Sequence, residues 1–172
     1  SHSSTETFLI GNKINFISDG KIVFQGRKKA SFEFFNKEYV DNQIENLLHG
    51  RVSEINSEYY ITKINIQKFT LNVFTKNLKV GQNVFIKINS TDLIVCKTRP
   101  SGISALNYLY LLLKQIAIKD NLVTLYFQFN GSLFKVNITK ASLDNLKLQK
   151  NKKYYILIKA IKINDIMSFN LT

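Results

Sequence analysis

The chain is poor in the residues that mark several common protein classes. It has one cysteine, so no internal disulfide framework forms, and one proline and seven glycines in 172 residues argue against collagen-like and Pro/Gly-rich disordered chains. Its apolar runs are too short for a transmembrane helix, and without a basic and apolar leader at the start we expect no secretion signal. The lone Cys96, in an apolar strand-like run, suits a reducing compartment and is interpreted as a core residue.

Acidic residues are scarce as well: the chain has 12 Asp and Glu but 24 Lys and Arg, which gives a net charge of +12. A balance this basic points to nucleic acid, anionic lipid or an anionic ligand as a partner, or it reflects only a composition rich in Lys, Asn and Ile. The chain does have 45% hydrophobic residues, enough to bury a core in one large or two small domains.

Short β-rich segments separated by turn residues make up most of the sequence. Strands are predicted at 48–56, 59–66, 69–74, 83–89, 92–97, 108–118, 122–129, 132–138, 153–163 and 166–171. A hairpin is predicted around Asp19-Gly20, and Asn130-Gly131 is the dipeptide of a type I′ hairpin turn. Helical structure is expected at 3–10, in a connector over 27–46, and as a short helix or turn at 141–150.

The β-rich part consists of two similar copies. Asn46-Leu47-Leu48-His49-Gly50-Arg51-Val52 opens one copy and Asn107-Tyr108-Leu109-Tyr110-Leu111-Leu112-Leu113 opens the other, and each ends on a related step, Ile88–Asp92 and Ile158–Lys162. The second copy is about nine residues longer, which we attribute to a longer Asn-Gly hairpin. Short strands in two copies predict a mainly β chain with a tandem or interlocked pair of OB-like small barrels, at about 46–97 and 104–172.

Several short motifs resemble those of a known family. Ser104-Ala105-Leu106-Asn107-Tyr108-Leu109 resembles the Ser-Ala-Arg-Asn-x-Leu opening of molybdate-binding OB-like domains, the MOP and TOBE domains, and Asn46-x-Leu48-x-Gly50-x-Val52 resembles its continuation. Ile88–Asp92 is similar to the family's Ile-Lys-Ser-Thr-Asp, and Ile158-Lys159-Ala160 to its Ile-Lys-Ser. The resemblance covers nearly the whole chain, and it depends on the order and spacing of the motifs.

The N-terminal segment resembles the end of an ABC-transporter ATPase domain, where a histidine-containing loop leads through a helix to a hairpin that ends in glycine. The matching residues are Ser1-His2-Ser3, Glu6 and the run Lys13–Gly26. The resemblance implies an ATPase remnant at 1–26, a connector at 27–45 and an OB-like region at 46–172. It makes His2 the loop histidine that contacts the terminal phosphate of ATP, unless Ser1-His2 is the remnant of an expression tag.

The resemblance also implies a set of anion-binding residues. A tetrahedral oxyanion needs converging donors and one or two cations, supplied by backbone N–H groups, hydroxyls and lysines. The residues implied are Ser104, Ala105, Leu106, Asn107 and Lys159 from the second copy and Lys87, Ser90 and Thr91 from the first. In the family the pocket lies at a subunit interface, so a homodimer is implied, with molybdate or tungstate as the ligand.

Four positions depart from the family pattern. Leu106 stands where the anion-contacting arginine is expected, and Asn89 replaces the motif lysine, although Lys87 precedes it on the same strand face. Ala160 replaces a hydroxyl residue, and Leu111 replaces a glycine. These departures imply that anion binding is weakened, altered or lost in a chain that keeps the fold.

The function implied is that of the C-terminal regulatory and dimerising domain of a molybdate or tungstate importer's ATP-binding subunit, which senses cytoplasmic oxyanion. ATP and Mg²⁺ would bind elsewhere in the parent, because the chain has no Gly-x-x-x-x-Gly-Lys-Ser/Thr motif, and its two His and one Cys form no metal-ligand cluster. The chain is therefore not expected to be catalytic alone. Its implied partners are a second copy, the parent ATPase domain and the permease, at the cytoplasmic face of the inner membrane.

Two other functions remain open. One is a docking domain in an ATPase for another substrate, such as sulfate, iron or sugar, without anion binding. The other is a nucleic-acid-binding OB module, motivated by the net charge of +12 and by aromatics beside lysines in Lys152-Lys153-Tyr154-Tyr155 and Tyr126-Phe127. Strand alternation favours a core position for these aromatics, so no nucleic acid is expected as a partner.

Overall fold

The computed structural model describes residues 13–18, 20–27, 30, 31, 34, 45–163 and 165–169 of two compact units, Ser1–Gln43 and Ile44–Thr172. In the first unit, β1 (Lys13–Ser18) and β2 (Lys21–Arg27) form the predicted antiparallel hairpin, and Gly20 takes a left-handed φ of +74° in its turn. The predicted helix at 3–10 and His2 lie outside the described residues.

Aromatic rings and one hydroxyl hold the first unit together. The Phe24 and Phe34 rings stack with their centroids 4.2 Å apart, and the Phe16 ring lies 5.3 Å from that of Phe34. The buried Ser31 donates its hydroxyl to the Gly26 carbonyl at 3.0 Å. These contacts attach strand β2 to Ser31 and Phe34, which follow it in the chain.

The second unit is mainly β, as predicted, and most of its strands match the predicted ranges. The strands are β3 (Glu45–Asn56), β4 (Ile61–Ile66), β5 (Phe69–Phe74), β6 (Asn83–Asn89), β7 (Ile94–Cys96), β8 (Asn107–Lys119), β9 (Leu122–Phe129), β10 (Ser132–Thr139), β11 (Lys153–Ile158) and β12 (Asp165–Phe169). A helix, Lys140–Leu146, follows β10, and short 3₁₀ turns at Ser90–Asp92 and Ala160–Lys162 follow β6 and β11. In the described part of the chain, no helix is long and apolar enough to cross a membrane.

These strands form two five-stranded sheets of the same design that exchange their last strands. One sheet has the order β5-β4-β3-β6-β12 and the other β10-β9-β8-β11-β7. Each contains four consecutive strands of one copy, but β7 pairs with β11 of the second copy, and β12 pairs with β6 of the first. The two copies are therefore interlocked.

A β-bulge lets one long strand serve two neighbours in each copy. The first half of β3 pairs with β6 and the second half with β4, and the register shifts between Val52 and Glu54. In the second copy β8 divides in the same way between β11 and β9, with its shift between Leu113 and Gln115. Bulges bend strands, so each sheet coils toward a small barrel.

One apolar core extends through both sheets. Strand alternation points Ile64, Leu71 and Ile86 of the first copy and Phe127 and Ile156 of the second into it, and all five are fully buried. The helix Lys140–Leu146 adds Leu143 to the core. Its N-cap is Thr139, whose hydroxyl accepts the Ser142 N–H at 3.1 Å.

The structure corrects two expectations. The strand predicted at 153–163 ends at Ile158, because the chain turns into the 3₁₀ segment Ala160–Lys162. The Asn-Gly hairpin holds only part of the extra length: its strands β9 and β10 are each two residues longer than β4 and β5, and a further five residues lie in the β10–β11 connection, where the helix forms. The Asn130-Gly131 turn does have positive φ at both residues, as type I′ requires.

Candidate oxyanion site

The first residue of the repeated motif is an asparagine whose side chain joins the two copies. Asn46 lies at the start of β3, and its Nδ2 donates to the carbonyls of Lys135, at 2.9 Å, and Ile88, at 3.4 Å. Its Oδ1 accepts the Lys135 N–H at 2.7 Å. Since Lys135 belongs to β10 of the second copy and Ile88 to β6 of the first, the amide bridges the two sheets. We name Asn46, Ile88, Asn89, Ser90 and Lys135 the Asn46 corner.

Asn107 repeats this arrangement at the start of β8. Its Nδ2 donates to the carbonyls of Asn72, at 2.9 Å, and Ile158, at 3.2 Å, and its Oδ1 accepts the Asn72 N–H at 2.7 Å. Both amide hydrogens are therefore used within the chain, which makes the side chain a clamp between sheets. The Asn107 corner consists of Asn72, Leu106, Asn107, Ile158 and Lys159.

Of the predicted residues, Leu106, Asn107 and Lys159 lie at the Asn107 corner, and Ser104 and Ala105 belong to the loop that leads into it. Asn107 pairs with Ile158 across β8 and β11, which places Lys159, the next residue, beside the loop that ends at Leu106. Ser104, Leu106 and Lys159 are exposed, and Ala105 is half-buried. A hydroxyl, a lysine and loop N–H groups at the surface make up a donor set suited to an anion.

Lys87, Ser90 and Thr91 lie at or beside the Asn46 corner instead. Ser90 is fully buried, and its Oγ has no hydrogen-bond partner, whereas Thr91 is exposed and Lys87, on β6, is half-buried. A buried hydroxyl without a partner is costly, so a water or ligand atom that reached this oxygen would gain a hydrogen bond. The predicted anion-binding residues thus divide between two equivalent corners, and each corner has a lysine and a hydroxyl. At the motif positions, Asn89 and Ser90 of the first copy take the places of Lys159 and Ala160 of the second.

An ion pair connects the 3₁₀ turns that follow these corners. Lys162 Nζ lies 3.4 Å from Asp92 Oδ1, and the two residues occupy equivalent positions in the two copies. Equivalent residues meet only on an axis of symmetry, so the copies are related by an approximate twofold axis between the turns. Their opposite charges attract, which identical residues on such an axis could not do.

The sequence did not reveal Asn72 and Lys135, which complete the two clamps from the third strand of the opposite copy, β5 and β10. Lys135 is almost fully buried, at 2% exposure, and the 3₁₀ turn with Ser90 packs against its strand. Nothing in the run Phe134-Lys135-Val136 indicates this role, because it depends on contacts between residues 89 apart in the chain. The one signal in the sequence was that Asn46 and Asn107 occupy the same motif position, which indicates a shared role but does not identify the strand that each contacts.

Among the described residues, no group of three or more His, Cys, Asp or Glu side chains could hold a metal ion. The donors at the two corners are amide N–H groups, hydroxyls and lysines, which hydrogen-bond to anions, and the amide oxygens of Asn46 and Asn107 already accept backbone N–H groups. The geometry of the corners therefore suits an anionic ligand.

Curated relatives carry one common name. The chain is 26% identical over 164 residues to the molybdenum import ATP-binding protein ModC of Rhizobium etli, 24% identical to that of Rhizobium johnstonii and 23% identical to that of Pasteurella multocida. Each match covers 94–95% of this chain and 46–47% of the relative, so the chain spans about half the length of these proteins. No family model matches the chain.

A solved structure shares the fold. The cytoplasmic molybdate-binding protein ModG, determined with molybdate bound, superposes with a TM-score of 0.61 and 19% identity over 73% of this chain and 96% of its own. At that identity the match concerns the fold alone. The resemblance inferred from the motifs is thus confirmed: the chain is related over nearly all of its length to the ATP-binding proteins of molybdenum importers.

Proposed function

We propose that this chain is the C-terminal regulatory and dimerising region of the ATP-binding subunit of a molybdate or tungstate importer, and that it binds cytoplasmic oxyanion. The observation that carries the proposal is the agreement between relatives named for molybdenum import along 95% of the chain and the duplicated fold shared with a molybdate-binding protein. In this proposal the parent supplies the ATP and Mg²⁺ site, residues 1–26 end its ATPase domain with His2 as the loop histidine, and the permease holds it at the cytoplasmic face of the membrane.

The Asn107 corner is the proposed centre of anion binding. Ser104 and the N–H groups of Ala105 and Leu106 would hold two oxygens, and Lys159 would supply charge. Asn107 positions this loop through its clamp on Asn72 and Ile158 and does not bind the anion with its side-chain amide. Leu106 stands where the family has an arginine, and in this proposal Lys159 supplies the positive charge that the arginine would have provided.

The Asn46 corner, with the equivalent hydroxyls, is the second proposed contributor. Its support is the buried Ser90 Oγ without a partner, next to a strand that carries the buried Lys135. In a homodimer the corners of two chains would face each other, so Ser90, Thr91 and Lys87 of one chain would complete the donor set of the other.

Calorimetry and thermal melting with molybdate, tungstate and sulfate test the binding. We expect molybdate and tungstate to bind and to raise the melting temperature, because a ligand of the folded state stabilises it by mass action. Sedimentation with and without molybdate is expected to show a dimer that the anion favours. Absence of both heat and thermal shift for molybdate and tungstate would sink the sensing role.

Variants separate the two corners. Lys159→Ala removes one charged donor and is expected to weaken molybdate binding about tenfold or more, because hydrogen bonds to charged groups contribute about 1.5–3 kcal/mol. Ser90→Ala tests the Asn46 corner in the same way, and Lys150→Ala, at an exposed lysine in a turn, is the matched control. If Lys159→Ala and Lys150→Ala bind molybdate equally well, the anion does not occupy the Asn107 corner.

A second candidate is a docking domain in an ATPase for another substrate, such as sulfate, iron or sugar. It is favoured by Leu106, an exposed leucine at the arginine position, and by Ala160, which is buried where a hydroxyl is expected. It predicts the same fold and dimerisation without a thermal shift by molybdate or tungstate.

A further inference from the structure

The five-stranded sheet of the second copy has an unusual distribution of charge. Its strands β7, β8, β9, β10 and β11 contain four lysines and no Asp or Glu. The sheet of the first copy, by contrast, includes Glu45, Glu54 and Asp165. Positive potential is therefore concentrated on one of two sheets that share the same design.

The outer face of this sheet presents a row of tyrosines between two cations. Tyr110 and Tyr155 stack at 4.5 Å between centroids, and Tyr108 meets Tyr155 edge-on at 6.0 Å. The Arg99 guanidinium lies 5.6 Å from the Tyr108 ring, and Lys153 Nζ lies 5.6 Å from the Tyr110 ring. We name these five residues the tyrosine ladder.

The ladder is fixed in position and open to solvent. Arg99 Nη2 donates to the Tyr108 hydroxyl at 2.8 Å, and this hydrogen bond raises the pKa of the guanidinium above its ordinary value. The guanidinium is charged with or without this bond. Tyr108 is 41% exposed and Tyr110 52% exposed. Large aromatic side chains with so much exposed area are typical of contact surfaces, where tyrosine and arginine are enriched.

The equivalent face of the first copy has different residues and is less exposed. The positions equivalent to Tyr108, Tyr110 and Tyr155 hold Leu47, His49 and Phe85, as the strand registers show. Leu47 and Phe85 are buried, at 8% and 4% exposure. Of the three positions on this face, two are apolar and buried in the first copy, where only His49 is exposed, whereas Tyr108 and Tyr110 are exposed in the second.

We propose that the tyrosine ladder is a docking surface for an acidic protein segment, one rich in exposed Asp and Glu. Carboxylates accept hydrogen bonds from tyrosine hydroxyls and pair with Arg99 and Lys153, and no carboxylate in the strands of this sheet competes for them. A second copy of this chain would bring its own Arg99 and Lys153, and so like charges, to a symmetric contact through the ladder. Tyr110 and Tyr155 already stack on each other, so one face of each ring is occupied, and the oligo(dT) comparison below measures whether bases use the remaining faces.

The test uses the whole chain and a fluorescent decapeptide of glutamate as the probe, measured by anisotropy in low and moderate salt. A decapeptide of glutamine and an oligo(dT) of equal charge are the comparison ligands. We expect the glutamate peptide to bind, salt to weaken it, and the Arg99→Glu/Lys153→Glu variant to bind it at least about tenfold more weakly. Lys68→Glu/Lys150→Glu, which makes the same change in net charge at two exposed turn lysines, is expected to retain most of the affinity.

A conservative variant and a measurement of Cys96 alkylation distinguish loss of binding from loss of folding. Tyr110→Phe retains the stack and removes one hydroxyl, so a moderate loss of affinity is expected with an unchanged melting temperature. Cys96, half-buried and paired with Tyr155 across the strands, is expected to be alkylated more slowly when the peptide is bound. Equal weakening by the two charge-reversal pairs overturns the proposal, as does tighter ladder-dependent binding of oligo(dT) or a ladder-dependent homodimer in sedimentation.

Discussion

At the scale of single residues, the motif asparagines have a structural role. The side-chain amides of Asn46 and Asn107 each donate one hydrogen bond to a carbonyl of a neighbouring strand in their own copy and one to a carbonyl of the opposite copy. A short buried amide is suited to this because it offers donors and an acceptor at once. The motif thus specifies the contact between the copies as well as the entrance to the candidate anion site.

Replacing Asn107 with aspartate tests this role. Asn107→Asp keeps the shape but loses both donors, which leaves the carbonyls of Asn72 and Ile158 without partners beside a carboxylate. We expect a loss of about 3 kcal/mol in the free energy of unfolding, measured by urea denaturation at an unchanged m-value. Asn65→Asp is the control, because exposed Asn65 acts as an acceptor for Ser53 and Thr70 and should change stability by less than about 0.5 kcal/mol. Equal effects would refute the clamp.

Gly50 shows why the family pattern differs between the copies. A Cβ at this position would come within 2.6 Å of Ile64 Cγ2 and 2.8 Å of the Asn65 carbonyl oxygen. The equivalent Leu111 is half-buried against the core, so the second copy has space where the first has none. The departure at Leu111 is therefore a difference in packing and says nothing about anion binding.

Gly50→Ala is accordingly expected to destabilise the chain by about 1–3 kcal/mol, because the backbone oxygen of Asn65 cannot move aside without disturbing β4. Thermal and urea unfolding measure the change. Lys97→Ala, at an exposed lysine, serves as the control and should leave stability nearly unchanged. A Gly50→Ala protein as stable as the unaltered chain would contradict the close approach of Asn65 to Gly50.

At the scale of elements, strand exchange decides what each segment stabilises. β12 belongs to the second copy in sequence but completes the sheet of the first, and β7 does the reverse. Three-residue β7 ends just before Lys97 and Pro100, residues that discourage further pairing at a sheet edge. Damage to one copy is therefore expected to appear in the other.

Ending the chain at Ile163 tests this expectation, because it removes β12 and makes β6 an edge strand. Hydrogen exchange should become at least about tenfold faster in β6 (Asn83–Asn89), far away in sequence, while β11 beside the cut changes less. Peptide-resolved mass spectrometry measures both strands in one sample. Faster exchange confined to β11 would contradict the exchanged arrangement.

At the scale of the whole molecule, the two copies form one cooperative unit. A single core extends through both sheets, and the clamps, the exchanged strands and the Asp92–Lys162 pair all cross between the copies. Neither copy can complete its sheet alone. The duplication also lets the two faces diverge, with Leu47 and Phe85 buried in one copy and the tyrosine ladder open in the other.

Separating the copies tests this unity. Fragments 44–103 and 104–172 are each expected to lack a cooperative thermal transition, because each has lost its fifth strand and half of the core. Mixed at equal concentration, they should regain β-sheet circular dichroism through the exchanged strands. A fragment that melts cooperatively by itself would show that the copies are independent domains.

Much of this structure could be predicted from the sequence. Strand alternation and two-residue turns gave β5, β6 and β9 at their observed ends, because period-two burial and positive-φ turn residues are local properties. The repeat and the family resemblance followed from the order of short motifs. The strand predicted to 163 was too long, because Ile161 and Ile163 continue the apolar pattern after the backbone has left the sheet.

What the sequence determined by itself is the set of strands, the duplication and the kinship with molybdenum import proteins. Only the tertiary structure decided which strands exchange, how the predicted anion-binding residues divide between two corners, and which copy has the more open outer face. The physical reason is distance along the chain: Asn46 meets Lys135, and Asp92 meets Lys162, through contacts that no local pattern of hydrophobicity or charge encodes.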